Sequence, residues 1–150
     1  MSHIPYSYNK LHPFRYIFIS SGKRNIVKVV DFIPMPTKNV FNLGFGDLLF
    51  NGELDDKANS NNGDIIKVFA TVIDILQDFT KMNPSFIIEF QGSTFERTRL
   101  YNRIIRTYYQ SFSKTYYVVG AIETETGRES VPFDPSTSLV YSVFFVKRLE

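Results

Sequence analysis

Residues 62–81, NGDIIKVFATVIDILQDFTK, decide the fold of this chain. Apolar side chains recur there at steps of three and four, the period of an α-helix with one buried face. The apolar positions are Ile65, Val68, Phe69, Val72, Ile73, Leu76 and Phe79, with Lys67, Asp74 and Asp78 on the opposite side. Asn61 or Asn62 is placed to cap the first amides, and Asp64 suits the positive end of the helix dipole. The stretch therefore predicts a helix that packs against another layer.

The residues before this helix predict three strands. Residues 14–35, FRYIFISSGKRNIVKVVDFIPM, have β-branched and aromatic side chains on both sides of the turn SSGKRN, which is typical of a β-hairpin. Pro34 and Pro36 end its second strand because proline cannot donate to a strand ladder. Residues 40–53, VFNLGFGDLLFNGE, predict a third strand, in which Gly44 and Gly46 indicate a bulge or a close backbone approach.

The residues after the helix predict a further strand, a second helix and two more strands. Pro84 precedes a short strand, SFIIEFQ, and residues 92–112, GSTFERTRLYNRIIRTYYQSF, have helical periodicity. Ser93 and Glu96 fit a capping box, which predicts that this helix begins at Thr94. Strands are expected at about 115–125 and 138–148, joined by a proline-containing loop.

The predicted order is β-β-β-α-β-α-β-β, after an extended N-terminal arm at residues 1–13. This order favours an α+β fold in which a mostly antiparallel sheet carries both helices on one face. A chain of 150 residues fits a single domain, 1–150. The other sheet face is expected to be exposed or covered by loops or a partner, and its aromatic residues suggest a homodimer interface.

Composition limits the possible chemistry and location. The chain has no cysteine, which excludes disulfides, thiolate catalysis and cysteine-bound metals, and favours a reducing, cytoplasmic location. The N-terminus lacks a basic segment followed by an apolar run, so no signal peptide is expected. No apolar run approaches the length of a membrane span, so no membrane partner is expected.

The second helix carries four arginines, which a helical wheel separates. Arg99, Arg103 and Arg106 form one outer stripe, whereas Arg97 falls in the apolar sector one turn before Tyr101. The stripe is interpreted either as a solvated helix face or as a surface that contacts phosphates.

Arg97 has two interpretations of its own, because a guanidinium in an apolar sector needs a partner. A salt bridge to Asp47, Asp64 or Glu89 would be structural. Alternatively, Arg97 and the free amides of the helix N-terminus would bind an anion such as phosphate or carboxylate.

Both helix N-termini follow strands or their loops, so they are predicted to meet at one edge of the sheet. The resulting cleft would bind an anion through residues from both helix starts: Asn61, Asn62, Asp64, Lys67, Ser93, Arg97 and Tyr101. The alternative is that the run SNNGD at residues 60–64 is a helix cap and a turn. A net charge of +2 means that any basic patch is local.

Evidence for catalysis is sparse. The two histidines, His3 and His12, both lie in the N-terminal arm, which disfavours histidine-based acid–base chemistry and zinc sites. Neither GxGxxG nor a lysine-bearing phosphate loop occurs. We therefore assign no catalytic residue and no cofactor. The alternative is a divalent-metal nuclease or phosphodiesterase that uses Asp47, Asp64 and Glu89 as its acids. Either Lys67 or Arg97 would then stabilise phosphate.

The motifs NLGFGDL, SNNGDIIKVFATV, IIEFQGST and RTRLYNRII, with a late PF, resemble a family of stand-alone bacterial proteins of unknown function. The resemblance covers about residues 14–147. It implies a bacterial intracellular protein and no particular activity. It draws attention to the motif positions Asp47, Asn62, Gly63, Asp64, Lys67, Gly92, Ser93, Arg97 and Tyr101.

The leading hypothesis is a non-enzymatic binding module whose anion site engages a nucleic acid, a phosphorylated ligand or an acidic protein surface. This hypothesis rests on the position of Arg97 in the apolar sector, on the outer stripe of three arginines and on the abundance of aromatic residues. The alternatives are the metal-dependent nuclease and a homodimeric protein-interaction domain in which the arginines are only solvated.

Overall fold

A computed structural model describes residues 4–56, 61–92 and 94–149. They contain nine strands and three helices. The strands are β1 (Tyr8–His12), β2 (Arg15–Ser21), β3 (Asn25–Pro34), β4 (Val40–Leu48), β5 (Leu54–Asp55), β6 (Ile87–Phe90), β7 (Tyr116–Thr124), β8 (Gly127–Pro132) and β9 (Val143–Arg148). The helices are α1 (Ile65–Met82), α2 (Phe95–Thr107) and α3 (Tyr109–Phe112). The α+β prediction is confirmed, as is the predicted order of the main elements.

The chain divides into two compact units. The first comprises Met1–Pro34 and Asn42–Met82, and the second comprises Met35–Phe41 and Asn83–Glu150. Strand order is β1-β2-β3-β4 in the first unit, with β5 on β4, and β6-β9-β7-β8 in the second. The pairs β1–β2, β2–β3, β4–β5, β6–β9, β7–β9 and β7–β8 are antiparallel. The prediction of a mostly antiparallel arrangement is therefore confirmed.

The first unit is built on the predicted hairpin of β2 and β3. Its register pairs Tyr16 with Val30 and Phe18 with Lys28, so alternate side chains face α1. Helix α1 presents aromatic rings to this face: Phe79 stacks on Phe32 with centroids 3.8 Å apart. The apolar residues that recur at helical spacing in residues 62–81 therefore form a buried face of α1. The helix begins at Ile65, and that residue is exposed.

Two predictions about α1 and the N-terminal arm are modified by strand β1. Residues 8–12 of the arm are extended, as predicted, but they pair with β2 as a strand. The Tyr16 hydroxyl donates a 2.8 Å hydrogen bond to Asp78, which is half-buried. The side of α1 that carries Asp74 and Asp78 is therefore partly covered by β1 and β2.

In the first unit, the sheet face opposite α1 is partly covered by the chain itself. The Gly44 Cα lies under the side chains of Ile33 and Leu54, 3.4 and 3.6 Å from the position that a Cβ would take. At Gly46 a Cβ would overlap the backbone of Asp55. Of the bulge and the close backbone approach that the glycines indicated, the close approach is made by β5, which gives this face some of the cover expected from loops or a partner.

In the second unit, α2 begins and ends differently from the prediction. Its N-cap is Thr94, whose extended backbone (φ −130°, ψ 162°) lets its hydroxyl accept from the Arg97 amide at 3.2 Å. The predicted start at Thr94 is one residue early, and Ser93 lies outside the described residues. The helix was predicted to continue to Phe112, but Tyr108 leaves helical geometry (φ −104°, ψ 16°) and α3 follows as a separate turn.

Strand β8 was missed, and the last strand is shorter than predicted. Residues 133–142 form a loop that α2 holds in place: the buried Asn102 side chain accepts from the Tyr141 amide and donates to its carbonyl, both at 2.8 Å. The Tyr141 ring lies against Gly120, where a Cβ would overlap it. Glycine at position 120 therefore permits the loop to pack on β7.

Candidate functional site

Asp64 is the centre of a polar network in the first unit. Its carbonyl accepts the Val68 amide at 2.9 Å, which places it directly before the first turn of α1. One carboxylate oxygen, Oδ2, accepts from the hydroxyls of Tyr6 and Ser20, each at 2.5 Å. Charge-assisted bonds of this kind are stronger than neutral ones, so they hold the carboxylate firmly in one position.

Tyr6 binds this network to the N-terminal segment. Its amide donates to the Thr71 hydroxyl at 2.8 Å, and its own hydroxyl accepts from the Ser21 amide at 3.1 Å. The ring stacks on Phe18 with centroids 6.0 Å apart. Residues near position 6 therefore contribute to the site, although the sequence suggested only a polar arm there.

Asn62 joins the start of α1 to the turn between β2 and β3. Its side chain is 4% exposed, accepts from the Arg24 amide at 2.9 Å, and donates to the Arg24 carbonyl at 2.7 Å and the Ser20 hydroxyl at 2.9 Å. Its carbonyl accepts from the Lys23 amide at 2.8 Å. Of the two capping candidates, Asn61 and Asn62, the Asn62 side chain does not cap α1, because its amide group is bonded to a hairpin turn distant in sequence.

Three exposed cationic residues belong to the segments that form this network: Lys23, Arg24 and Lys67. The Lys67 ammonium lies 4.4 Å from the centroid of the Tyr6 ring, in cation–π geometry. The Lys23 side chain runs past Gly63, with its Cε 3.5 Å from the position that a Cβ would take. We call these three side chains the entrance cations.

Lys67 occupies an electrostatically unfavourable position for a lysine. It is the third residue of α1, near the positive end of the helix dipole, and the first turn contains no acidic residue. A cation there does not stabilise the helix. The same position is favourable for attracting an anion, because the first amides of a helix have no intrahelical acceptors.

Asp47 and Glu89, the other two acids of the metal-dependent nuclease hypothesis, have different environments from that of Asp64. Asp47 is ion-paired with the Lys28 ammonium at 2.5 Å, and Lys28 is only 4% exposed. Glu89 is half-buried in β6, opposite Phe145 of β9. Within residues 4–56, 61–92 and 94–149, no group of three or more His, Cys, Asp or Glu side chains could hold a metal ion.

The second unit contains the other predicted residues. Arg97 is half-buried, and Tyr101 is buried with its ring edge-on to Phe90 at 5.8 Å. Arg99 and Arg103 are exposed, as the wheel predicts. Arg106 departs from the stripe prediction, because it is half-buried and donates to the Leu139 carbonyl at 2.8 Å.

The structure therefore brings together Asn62, Asp64 and Lys67 in the first unit, and adds Tyr6, Ser20 and the hairpin turn to them. Arg97 and Tyr101 belong to the second unit. Their convergence with the first group stays a prediction, and Ser93 lies outside the described residues. The missed residues had one signal in the sequence: the turn SSGKRN supplies two cations and free backbone groups that need partners.

A family model for proteins of unknown function, DUF6934, matches residues 3–149. The chain belongs to this family. The match covers the network around Asp64 and helix α2 together, so both are parts of the family's domain. Comparisons with curated proteins and with solved structures gave no match. Among the helices in the described ranges, none has the length and apolar composition that crossing a membrane requires.

Proposed function

We propose that this member of the family is a non-enzymatic binding module, and that a phosphate-bearing ligand docks at the start of α1. The observation that carries the proposal is the position of Lys67: exposed, in the first helical turn, and held 4.4 Å from the Tyr6 ring centroid. Lysine is a common phosphate ligand, and helix N-termini are favourable places for anions.

The entrance cations support a compact anion as ligand. Lys23 and Arg24 lie on a turn that Asn62 fixes through five hydrogen bonds, four from its side chain and one to its carbonyl. A turn fixed in this way loses little conformational entropy when a ligand binds. Asp64 opposes an anion, but two hydroxyl donors already share its Oδ2.

Burial of the Ser20 hydroxyl supports binding without catalysis. The Ser20 side chain is 0% exposed and its hydroxyl is bonded to both Asp64 and Asn62. A nucleophile must reach its substrate, and this hydroxyl cannot do so in the observed packing. The Ser20–Asp64 pair is therefore best explained as the support on which the entrance cations are arranged.

The test compares two lysines on one helix. We expect Lys67→Gln to weaken binding of inorganic pyrophosphate about tenfold, equivalent to roughly 1.4 kcal/mol, by isothermal titration calorimetry. The matched control is Lys81→Gln, which removes an exposed lysine at the other end of α1 and should leave the affinity unchanged.

Two results would refute this function. One is that the unaltered protein does not bind pyrophosphate. The other is that both glutamine variants lose affinity equally, which would indicate a general charge effect without a site. A weakening of affinity by added salt is expected in either case and does not discriminate between them.

A further inference from the structure

The outer face of α2 carries a line of one aromatic and three arginine side chains. Phe95, Arg99, Arg103 and Arg106 fall within a sector of about 80°, because each residue of an α-helix advances about 100°. At about 1.5 Å per residue, the line is roughly 16 Å long. The buried residues Tyr101, Ile104 and Ile105 lie on the other side of α2, whereas buried Asn102 borders the line, about 20° from Phe95 on the wheel.

The four side chains of this line differ in their exposure and in their contacts. Phe95 is 69% exposed, and the Arg99 guanidinium carbon lies 5.8 Å from its ring centroid. Arg103 is exposed. Arg106 is anchored by its bond to the Leu139 carbonyl, and its buried Nε has no hydrogen-bond partner within the described part of the chain. A planar aromatic surface therefore stands at one end of a row in which the guanidinium groups of Arg99 and Arg103 are exposed and that of Arg106 is partly buried.

The charge of α2 differs from that of the rest of the chain. Its 13 residues contain four arginines and one glutamate, a net charge of +3. The whole chain has a net charge of +2, so the remainder sums to −1. The net positive charge of the chain therefore resides on this helix, which would attract a polyanion.

We propose that the outer face of α2 binds single-stranded nucleic acid, as a second surface separate from the start of α1. Guanidinium groups in a row suit successive phosphates, and an exposed phenylalanine suits the face of an unpaired base. A duplex hides its base faces by stacking, so Phe95 would contribute little to duplex binding.

Other partners fit this face less well. The centres of protein interfaces are depleted of charged residues, whereas charged side chains dominate this line. A helix that lies on a membrane needs a broad apolar face, and the broad apolar face of α2 is buried in the second unit. Phe95 alone supplies too little apolar surface for either partner.

The test measures fluorescence anisotropy of labelled oligouridylate and oligothymidylate of about 10 nucleotides, within the usual site sizes of single-strand binders. We expect Phe95→Ala to weaken binding about tenfold. The double variant Arg99→Gln/Arg103→Gln should weaken binding further and reduce the slope of log affinity against log salt by about 0.7 per lost phosphate contact. The control is Arg128→Gln, an exposed arginine of the same unit that pairs with Glu123; it should bind as the unaltered protein does.

Three outcomes would overturn the inference. They are no binding of either oligonucleotide, binding of a duplex as tight as that of the single strand, and a Phe95→Ala effect as large on inorganic polyphosphate as on the oligonucleotides. Thermal unfolding by circular dichroism must show that each variant is folded. Excess pyrophosphate at constant ionic strength separates the two proposals: it should occupy the start of α1 and leave oligonucleotide binding unchanged, and displacement would contradict a separate surface.

Discussion

Asn62 uses both ends of its side-chain amide, and no other residue type can replace it fully. The carbonyl oxygen accepts from the Arg24 amide, while the NH₂ group donates to the Arg24 carbonyl and the Ser20 hydroxyl. Aspartate has the same shape but cannot donate, and serine is too short to make three bonds. An asparagine at this position therefore explains why the turn SSGKRN has a fixed shape.

We expect Asn62→Ala to lower the free energy of unfolding by about 2–3 kcal/mol, because it leaves several polar groups near a buried position without partners. Urea denaturation monitored by circular dichroism measures this loss. Asn9→Ala is the matched control, since Asn9 is exposed on β1 and its loss should change stability by less than about 0.5 kcal/mol. Equal effects of the two substitutions would mean that the Asn62 bonds are not stabilising.

Tyr16 makes stability sensitive to alkaline pH. Burial raises the pKa of Tyr16, and the hydrogen bond to Asp78 raises it further. The unfolded chain ionises near the ordinary tyrosine pKa of about 10, whereas the folded protein keeps Tyr16 neutral to higher pH. The unfolded state therefore releases its proton first, and the stabilising contribution is complete below about pH 10 and is lost above it.

The corresponding experiment is a series of urea unfolding curves between about pH 7 and 11. Tyr16→Phe should be less stable than the unaltered protein at pH 7, because Asp78 loses a donor. Its stability should fall less steeply above about pH 10, by an amount on the order of 1 kcal/mol. Parallel pH dependence of the two proteins would show that ionisation of Tyr16 is not coupled to folding.

At the scale of elements, the sequence predicted best where the decisive contacts are local. The apolar repeat from Val68 to Phe79 identifies α1 because a helix buries one face whatever it packs against. Gly46 indicated a close backbone approach, since only glycine leaves room for β5. These features follow from neighbouring residues, so one sequence is sufficient to find them.

The elements that the sequence missed depend on distant partners. Strand β8, GRESVP, lacks the alternation of apolar residues that marks a strand, and it is extended because β7 offers it a ladder. The break at Tyr108 follows neither proline nor glycine, so no local signal marks it. The site was missed for the same reason: Tyr6 and Asp64 are 58 positions apart, and a helical wheel carries no information about such a contact.

Packing of the loop at residues 133–142 requires a residue without a side chain at position 120, which is glycine. A Cβ at position 120 would overlap the Tyr141 ring, which is fully buried. We expect Gly120→Ala to lower the free energy of unfolding by about 1–3 kcal/mol through overpacking, as measured by urea denaturation. The double variant Gly120→Ala/Tyr141→Leu should show a favourable coupling of the two substitutions. Additive losses would mean that the ring and residue 120 do not compete for space.

At the scale of the whole molecule, the two proposed surfaces belong to different units. The entrance cations lie in the first unit, and the outer face of α2 lies in the second. The family model spans both, so the two units occur together in the family's domain. A homodimer formed through an exposed sheet face stays a prediction, and the cover that β5 gives in the first unit reduces the apolar area available there.

The bond between Asn62 and Arg24 also has a consequence for synthesis of the chain. The two residues are 38 positions apart, so at 5–20 residues per second the ribosome needs about 2–8 s after making the turn before it adds Asn62. During that interval the hairpin of β2 and β3 lacks its hydrogen bonds to the Asn62 side chain. An isolated hairpin is marginally stable in water. We therefore expect the first unit to become stable only after α1 has left the ribosome, and its apolar strands to be available to chaperones until then.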